Sequence, residues 1–247
     1  MTYATAHQHN GHVTNQEPAS APAAPVPSQQ VAPAPSRQER ALSLADPAPF
    51  GLAALSLPLA ALSWINIGAM KPTAIPVVLT TLLLYGGLGQ FVVAMWEVLR
   101  GNTFGVVAFG TFGCFNLALW YFFTYEMPKI PVSQQPSNLG LFLALWAIPA
   151  FILWIASLRT NLVVNLIFML ATALFVVAAW GNGAGITGLV HAAGWIGIAL
   201  AAVAWYGCAA ALTSFTFGHQ ILPNPELRDV HVHVGHRASG HPAPAGH

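Results

Sequence analysis

The stretch YGGLGQFVVAMWEVLRGNTFGVVAFGTFGCFN, residues 85–116, decides the fold class. It is apolar almost throughout, yet it carries Gln90 and Glu97. Arg100-Gly101-Asn102 breaks it, and a second apolar run with Gly105, Gly110 and Gly113 follows. A water-soluble core has no use for that mixture over so long a span. It suits the end of one membrane-crossing helix, a polar turn and the start of the next, with a polar route beside them.

Composition agrees with a membrane protein. Of 247 residues, 55% are hydrophobic and 6% are charged, against about 25% charged in a soluble domain. Apolar runs cover 50–69, 76–99, 105–123, 139–158, 162–180 and 187–217; a bilayer needs roughly 20 residues per helix. The sequence therefore predicts an all-α membrane protein with six transmembrane helices inside one domain, 46–222. Asp46-Pro47 supplies a capping side chain and then a proline where no donor is needed. Pro58, Ser63, Asn66 and Pro149 are tolerable in membrane helices when neighbours satisfy the freed polar groups.

The flanks differ. Residues 1–45 are rich in Ala, Pro, Gln, Ser and His and read as a disordered tail without the apolar core of a cleavable signal. His7, His9 and His12 have the spacing of a weak metal-binding tract, but a plain polar tail is the preferred reading. Residues 223–247, with five further histidines, also read as a disordered tail.

Six crossings put both termini on one side. Arg37, Arg40, Arg100, Arg159, Arg228 and Arg237 share that side, whereas Lys71 and Lys129 lie opposite. The bias predicts cytoplasmic termini in a cell inner (plasma) membrane. Gly101-Asn102 after Trp96 and Gly181-Asn182 after Trp180 hold matching places in the helix order, which points to an inverted 3+3 repeat.

A formal net charge of +1, with no basic patch, offers nothing to nucleic acid. Phosphate loops, nucleophile elbows and two-metal sites have no counterpart, so no enzyme, cofactor or metal is expected. Cys114 and Cys208 fall within apolar runs and are expected as buried thiols. Ionisable groups inside membrane segments mark pathways by default. Glu97 has two readings, gating or proton coupling on one hand and a structural ion pair with Arg100 on the other. Gln90, two turns earlier on the same face, is a candidate for lining a pathway. His191 could couple protons or simply pack. Most of the glycines are expected to serve close helix packing.

At this point the motif order resembles the acetate uptake transporter family, the succinate–acetate permease and fungal acetate transporter group. Its helix-one signature, usually Asn-Pro-Ala-Pro-Leu-Gly-Leu, is matched by Asp46-Pro47-Ala48-Pro49-Phe50-Gly51-Leu52. Tyr85-Gly86-Gly87, Gln90, Glu97, Gly101-Asn102-Thr103-Phe104-Gly105, Met127-Pro128-Lys129, His191, Ala193-Gly194-Trp195-Ile196-Gly197 and Leu222-Pro223 follow in the family's order. The resemblance implies a six-helix bundle, a homo-hexamer with a pathway through each protomer, and acetate, succinate or other short carboxylates as cargo. Passage would be proton symport or channel-like. It also implies an apolar constriction, placed by motif offset at Leu55, Phe112 and Ala171.

This chain departs from the family pattern at three of these positions. Phe112 stands where tyrosine is common, Ala171 where leucine is common, and Asp46 where asparagine is usual. The first two predict a wider, less polar neck. For an anion, the helix starts at 46–50 and 102–105 offer backbone donors. Asn66, Gln90, Thr103, Thr111 and Asn116 add side-chain donors, and no arginine stands mid-membrane. The expected function is a transporter for acetate and related carboxylates, with protons and membrane lipid as its other partners. Two rival readings are a passive channel for small solutes such as ammonia or protonated acids, and a non-transporting scaffold or sensor.

Overall fold

The computed structural model describes residues 44–227. The parts of both tails at 1–43 and 228–247, with their histidine tracts, lie outside the described residues. Among the described residues, six helices are long and apolar enough to cross a membrane: α1 (Ala48–Asn66), α2 (Pro72–Arg100), α3 (Thr103–Lys129), α4 (Val132–Ser157), α5 (Leu162–Gly183) and α6 (Thr187–Phe217). The start of α1, the α2–α3 and α4–α5 turns and the end of α6 define one face, here the terminal face. The other three turns define the distal face. In succession α4 packs on α5, α5 on α6, α6 on α1, and α1 and α3 on α2. The outward surface is apolar, as on α4, where Leu141, Leu145, Ile148, Ile152 and Ile155 are exposed.

Local chemistry explains the breaks. Gly101 ends α2 in the left-handed region at φ 72°. Asn102 N–H returns to Glu97 O and Gly101 N–H to Val98 O, both at 3.1 Å, so the orphan carbonyls are satisfied. Asn102 then caps α3, its Oδ1 accepting from Gly105 N–H at 3.1 Å. Gly181-Asn182 has a different geometry. Both residues lie inside the last turn of α5, and the left-handed break falls at Gly185. The two Gly-Asn pairs thus correspond in helix order but not in conformation.

Within α2, residues Leu82–Gly89 open into π-helical turns. A methyl at Gly86 there would stand 2.8 Å from Pro58 and 2.9 Å from Asn116. The widened turn therefore rests directly on α1 and α3, a device common near functional sites.

Several sequence expectations shift. The α1 N-cap is Pro47, and Asp46 lies one position outside it, its Oδ1 accepting from Ala48 N–H at 3.2 Å. Residues 223–227, counted with the tail in the sequence, are among the described residues. Pro225 O accepts from Leu162 N–H at 3.0 Å and Thr160 O from Leu227 N–H at 2.9 Å, so this strap satisfies groups at the start of α5. The cysteines are free as expected, but Cys114 is exposed and Cys208 half-buried rather than both being buried. On a membrane helix an apolar run is buried in lipid as readily as in protein, so hydrophobicity alone does not assign the face.

Candidate membrane pathway

Three apolar stripes meet at the centre of the bundle. Leu55 on α1, Phe112 on α3 and Ala171 on α5 are all buried in one core cluster. Two cavities approach them from opposite faces. The distal cavity, about 250 Å³, is lined by Ser63, Asn66, Phe115, Asn116, Phe175 and Asn182 among others. The terminal-face cavity, about 140 Å³, is lined by Ala48, Leu52, Gln90, Glu97, Asn102 and Phe168 among others. Only Leu55 and Phe112 belong to both linings. They form the partition.

Ala171 lines the distal cavity alone and is fully buried. The neck beside it is more crowded than the small side chain suggests. Phe168 and Phe175 flank Ala171 on α5, with ring centroids 5.9 Å and 6.3 Å from Phe112. Phe168 in turn meets Phe104 edge-on at 5.5 Å, and Phe175 meets Phe115 edge-on at 4.9 Å. Sequence reading missed Phe168 and Phe175. Their offsets of three and four residues from Ala171 put them on its face and were the available signal.

A polar rung runs beside this neck. Asn116 Nδ2 donates to Gln90 Oε1 at 3.0 Å, and Gln90 Nε2 donates to Gly51 O at 3.3 Å. Both amide side chains are buried, and each faces a different cavity. Buried amides need such partners.

At the terminal mouth, Asp46 pairs with Arg100, and Arg100 Nη1 lies 3.5 Å from Glu97 Oε2. The predicted Glu97–Arg100 pair is present, yet Arg100 lies closer to Asp46. Trp96 Nε1 donates to Ala45 O at 3.1 Å, fixing the chain that leads into α1 against α2. Glu97 is fully buried, and its Oε2 accepts from Asn102 Nδ2 at 3.0 Å.

The other sequence candidates divide. Ala48, Leu52, Asn66 and Asn102 line cavities, whereas Pro47, Pro49, Phe50, Gly51, Tyr85, Thr103 and Thr111 line neither. Phe50 and Tyr85 meet edge-on at 5.3 Å, away from both cavity linings. Asp46 lines neither cavity and acts on the mouth through Arg100. His191 is exposed at the distal end of α6; its neighbours Val190 and Ala193 line the distal cavity instead.

Chemically, no lysine or arginine among the described residues lines either cavity, so none of them would hold an anion there tightly. The neck itself offers hydrocarbon and aromatic faces. Apolar walls accept a methyl group well and a bare carboxylate poorly. Among the described residues no group of three or more His, Cys, Asp or Glu is placed to hold a metal.

Residues 28–227 match the model of the GPR1/FUN34/yaaH family. A protein of Escherichia coli K12 named succinate-acetate/proton symporter SatP is 34% identical over 182 residues, covering 73% of this chain and 95% of that one. Acetate permease A of Emericella nidulans is 31% identical over 198 residues, covering 74% of this chain and 66% of that one. The solved structure of the bacterial acetate channel SatP superposes with a TM-score of 0.69 at 31% identity, covering 74% of this chain and 99% of that chain.

Proposed function

This chain belongs to the GPR1/FUN34/yaaH family, and from that premise we propose that it carries acetate and related short-chain carboxylates across the cell inner membrane. The observation that carries the reading is the meeting of two cavities from opposite faces at Leu55 and Phe112. Substrate would enter one cavity, pass the apolar neck and leave by the other. Weak binding without a fixed cation suits fast passage.

Ala48, Leu52, Gln90 and Asn102 serve the terminal vestibule in this reading, and Asn66 and Asn116 the distal one. Leu55, Phe112 and Ala171 form the constriction, backed by Phe168 and Phe175. Asp46 and the rest of its motif, with Tyr85 and Thr103, shape the mouth rather than the lining. Thr111 takes a packing role, and His191 stays exposed at the distal end of α6. Arg100 and Arg159 at the terminal face, against Lys71 and Lys129 at the distal one, support cytoplasmic termini. The assembly is a homo-hexamer with a pathway in each protomer.

The test is uptake of radiolabelled acetate into liposomes holding the purified protein, with and without a pH gradient, competed by propionate and succinate. Saturable uptake that both acids compete for and the gradient drives is expected. Uptake no faster than in protein-free liposomes would leave the scaffold reading instead.

A further inference from the structure

Among the described residues, Glu97 is the one ionisable side chain in the lining of the terminal-face cavity. Its surroundings give it half a set of partners. Oε2 accepts from Asn102, while Oε1 is buried with no hydrogen-bond partner. Space for the carboxyl comes from Gly105, where a methyl would stand 2.8 Å from Glu97 Cδ and 2.6 Å from Asn102 Nδ2. A carboxyl set into a helix crossing this closely, in a residue that lines a cavity, with one oxygen held and the other buried without a partner, is a built site. Buried polar atoms without partners call for an explanation.

Charges near it are few. The segment before α1 brings Asp46, already paired with Arg100, and α2 itself brings Arg100 at 3.5 Å. The neighbouring Asn102 and Gly105 of the α3 start are neutral, and α5 lines the same cavity with Val164, Ile167 and Phe168. Arg100 is partly exposed and Asp46 half-exposed, so solvent reaches the mouth beside Glu97.

We propose that Glu97 exchanges a proton with the carboxyl group of the transported acid in the terminal-face cavity, so that the acid crosses the neck uncharged. The inference rests on the transport reading above. For outward passage the step is balanced. The O–H bond at Glu97 Oε1 breaks, an O–H bond forms on the substrate carboxylate, and Glu97 is left as carboxylate until solvent at the mouth returns a proton. Inward passage runs the same transfer backwards, the arriving acid giving its proton to Glu97 and leaving as carboxylate. Neutral acid then meets an apolar neck at Leu55 and Phe112 that a bare carboxylate would cross at a large desolvation cost.

Glu97→Gln keeps the size of the side chain and an acceptor for Asn102, but it cannot pass a proton. The experiment compares wild type and Glu97→Gln for acetate efflux from liposomes loaded with a fixed total acetate, with the terminal face inside, over a series of internal pH values. At acid pH the loaded solution already supplies neutral acid, and the two proteins are expected to agree. Toward neutral pH the wild type is expected to lead by about a hundredfold or more, the range of general acid–base assistance. A ratio that stays constant across pH would mean a structural role and overturn the inference with transport intact. Wild-type efflux no faster than in protein-free liposomes would overturn the transport reading instead.

Infrared difference spectra of the wild type give an independent readout should the glutamine variant fail to fold. A protonated-carboxyl band that acetate abolishes, and that moves in Glu97→Asp, is expected. A spectrum with no such acetate-dependent band overturns the proposal.

Discussion

Leu55 of α1 and Phe112 of α3 are the two side chains that border both cavities, one cavity opening toward each face of the bundle. The partition is thus one side chain thick on each side, and its third wall is α5. There Ala171 is fully buried between Phe168 and Phe175.

Ala171→Leu adds three carbons at the distal edge of the partition, against the rings of Phe112 and Phe175. Acids with longer chains should suffer more than acetate. A methylene in an apolar site is worth about tenfold or more in discrimination, so propionate should lose on the order of ten times more uptake than acetate. Uptake of acetate, propionate and succinate by the two proteins measures this. Identical profiles would remove Ala171 from the specificity-setting wall.

The Gln90–Asn116 rung predicts a non-additive stability effect. Asn116→Leu leaves Gln90 Oε1 buried without its donor, at a cost of about 1–3 kcal/mol. Replacing both amides by leucine removes the unpaired group and should recover a good part of that loss. Thermal unfolding in detergent of the two single variants and the double variant closes the cycle. Costs that simply add would mean that the 3.0 Å contact carries no coupling.

Much of this architecture is legible in the sequence because membrane-crossing helices announce themselves by length and apolarity. Facing is harder to read. Phe168 and Phe175 sit in an apolar run where lipid-facing and neck-facing phenylalanines have the same composition, and Cys114 was misplaced for the same reason. The π-helical turns at Leu82–Gly89 have no signal beyond paired glycines. Glu97 and Arg100 were readable as neighbours three apart on one helix. That Arg100 is shared with Asp46 depends on how α1 approaches α2, which no local pattern states. His191 drew notice for its chemistry, but its exposed position follows from the rotation of α6.

Gly140 at the α4–α5 contact and Gly110 at the α2–α3 contact make a contrasting pair. A methyl at Gly140 would stand 2.6 Å from Gly183 N and 2.9 Å from Ala179 O, both backbone atoms that cannot swing aside. A methyl at Gly110 would meet Ala94 Cβ at 3.7 Å, an ordinary contact. Gly140→Ala should therefore destabilise by about 1–3 kcal/mol through overpacking, while Gly110→Ala should be neutral or gain up to about 1 kcal/mol of helix propensity. Thermal unfolding of the two variants decides, and a Gly110→Ala loss as large as that of Gly140→Ala would contradict the packing.

The last prediction separates the two partners of Arg100. Asp46 is half-exposed, and exposed ion pairs are worth about 0–1 kcal/mol. Asp46→Asn retains an Oδ1 that accepts from Ala48 N–H, so it removes the charge and keeps the turn. Its cost should stay below about 1 kcal/mol and fade in high salt. Glu97 is fully buried whereas Asp46 is half-exposed, so water screens the Glu97 side of Arg100 less than the Asp46 side. Arg100→Gln should therefore cost about 2 kcal/mol or more, with little response to salt, wherever Glu97 carries its charge. Unfolding temperatures of both variants at low and high salt provide the comparison. Equal, salt-sensitive losses would mean that Glu97 draws nothing from Arg100 and that the guanidinium serves Asp46 alone.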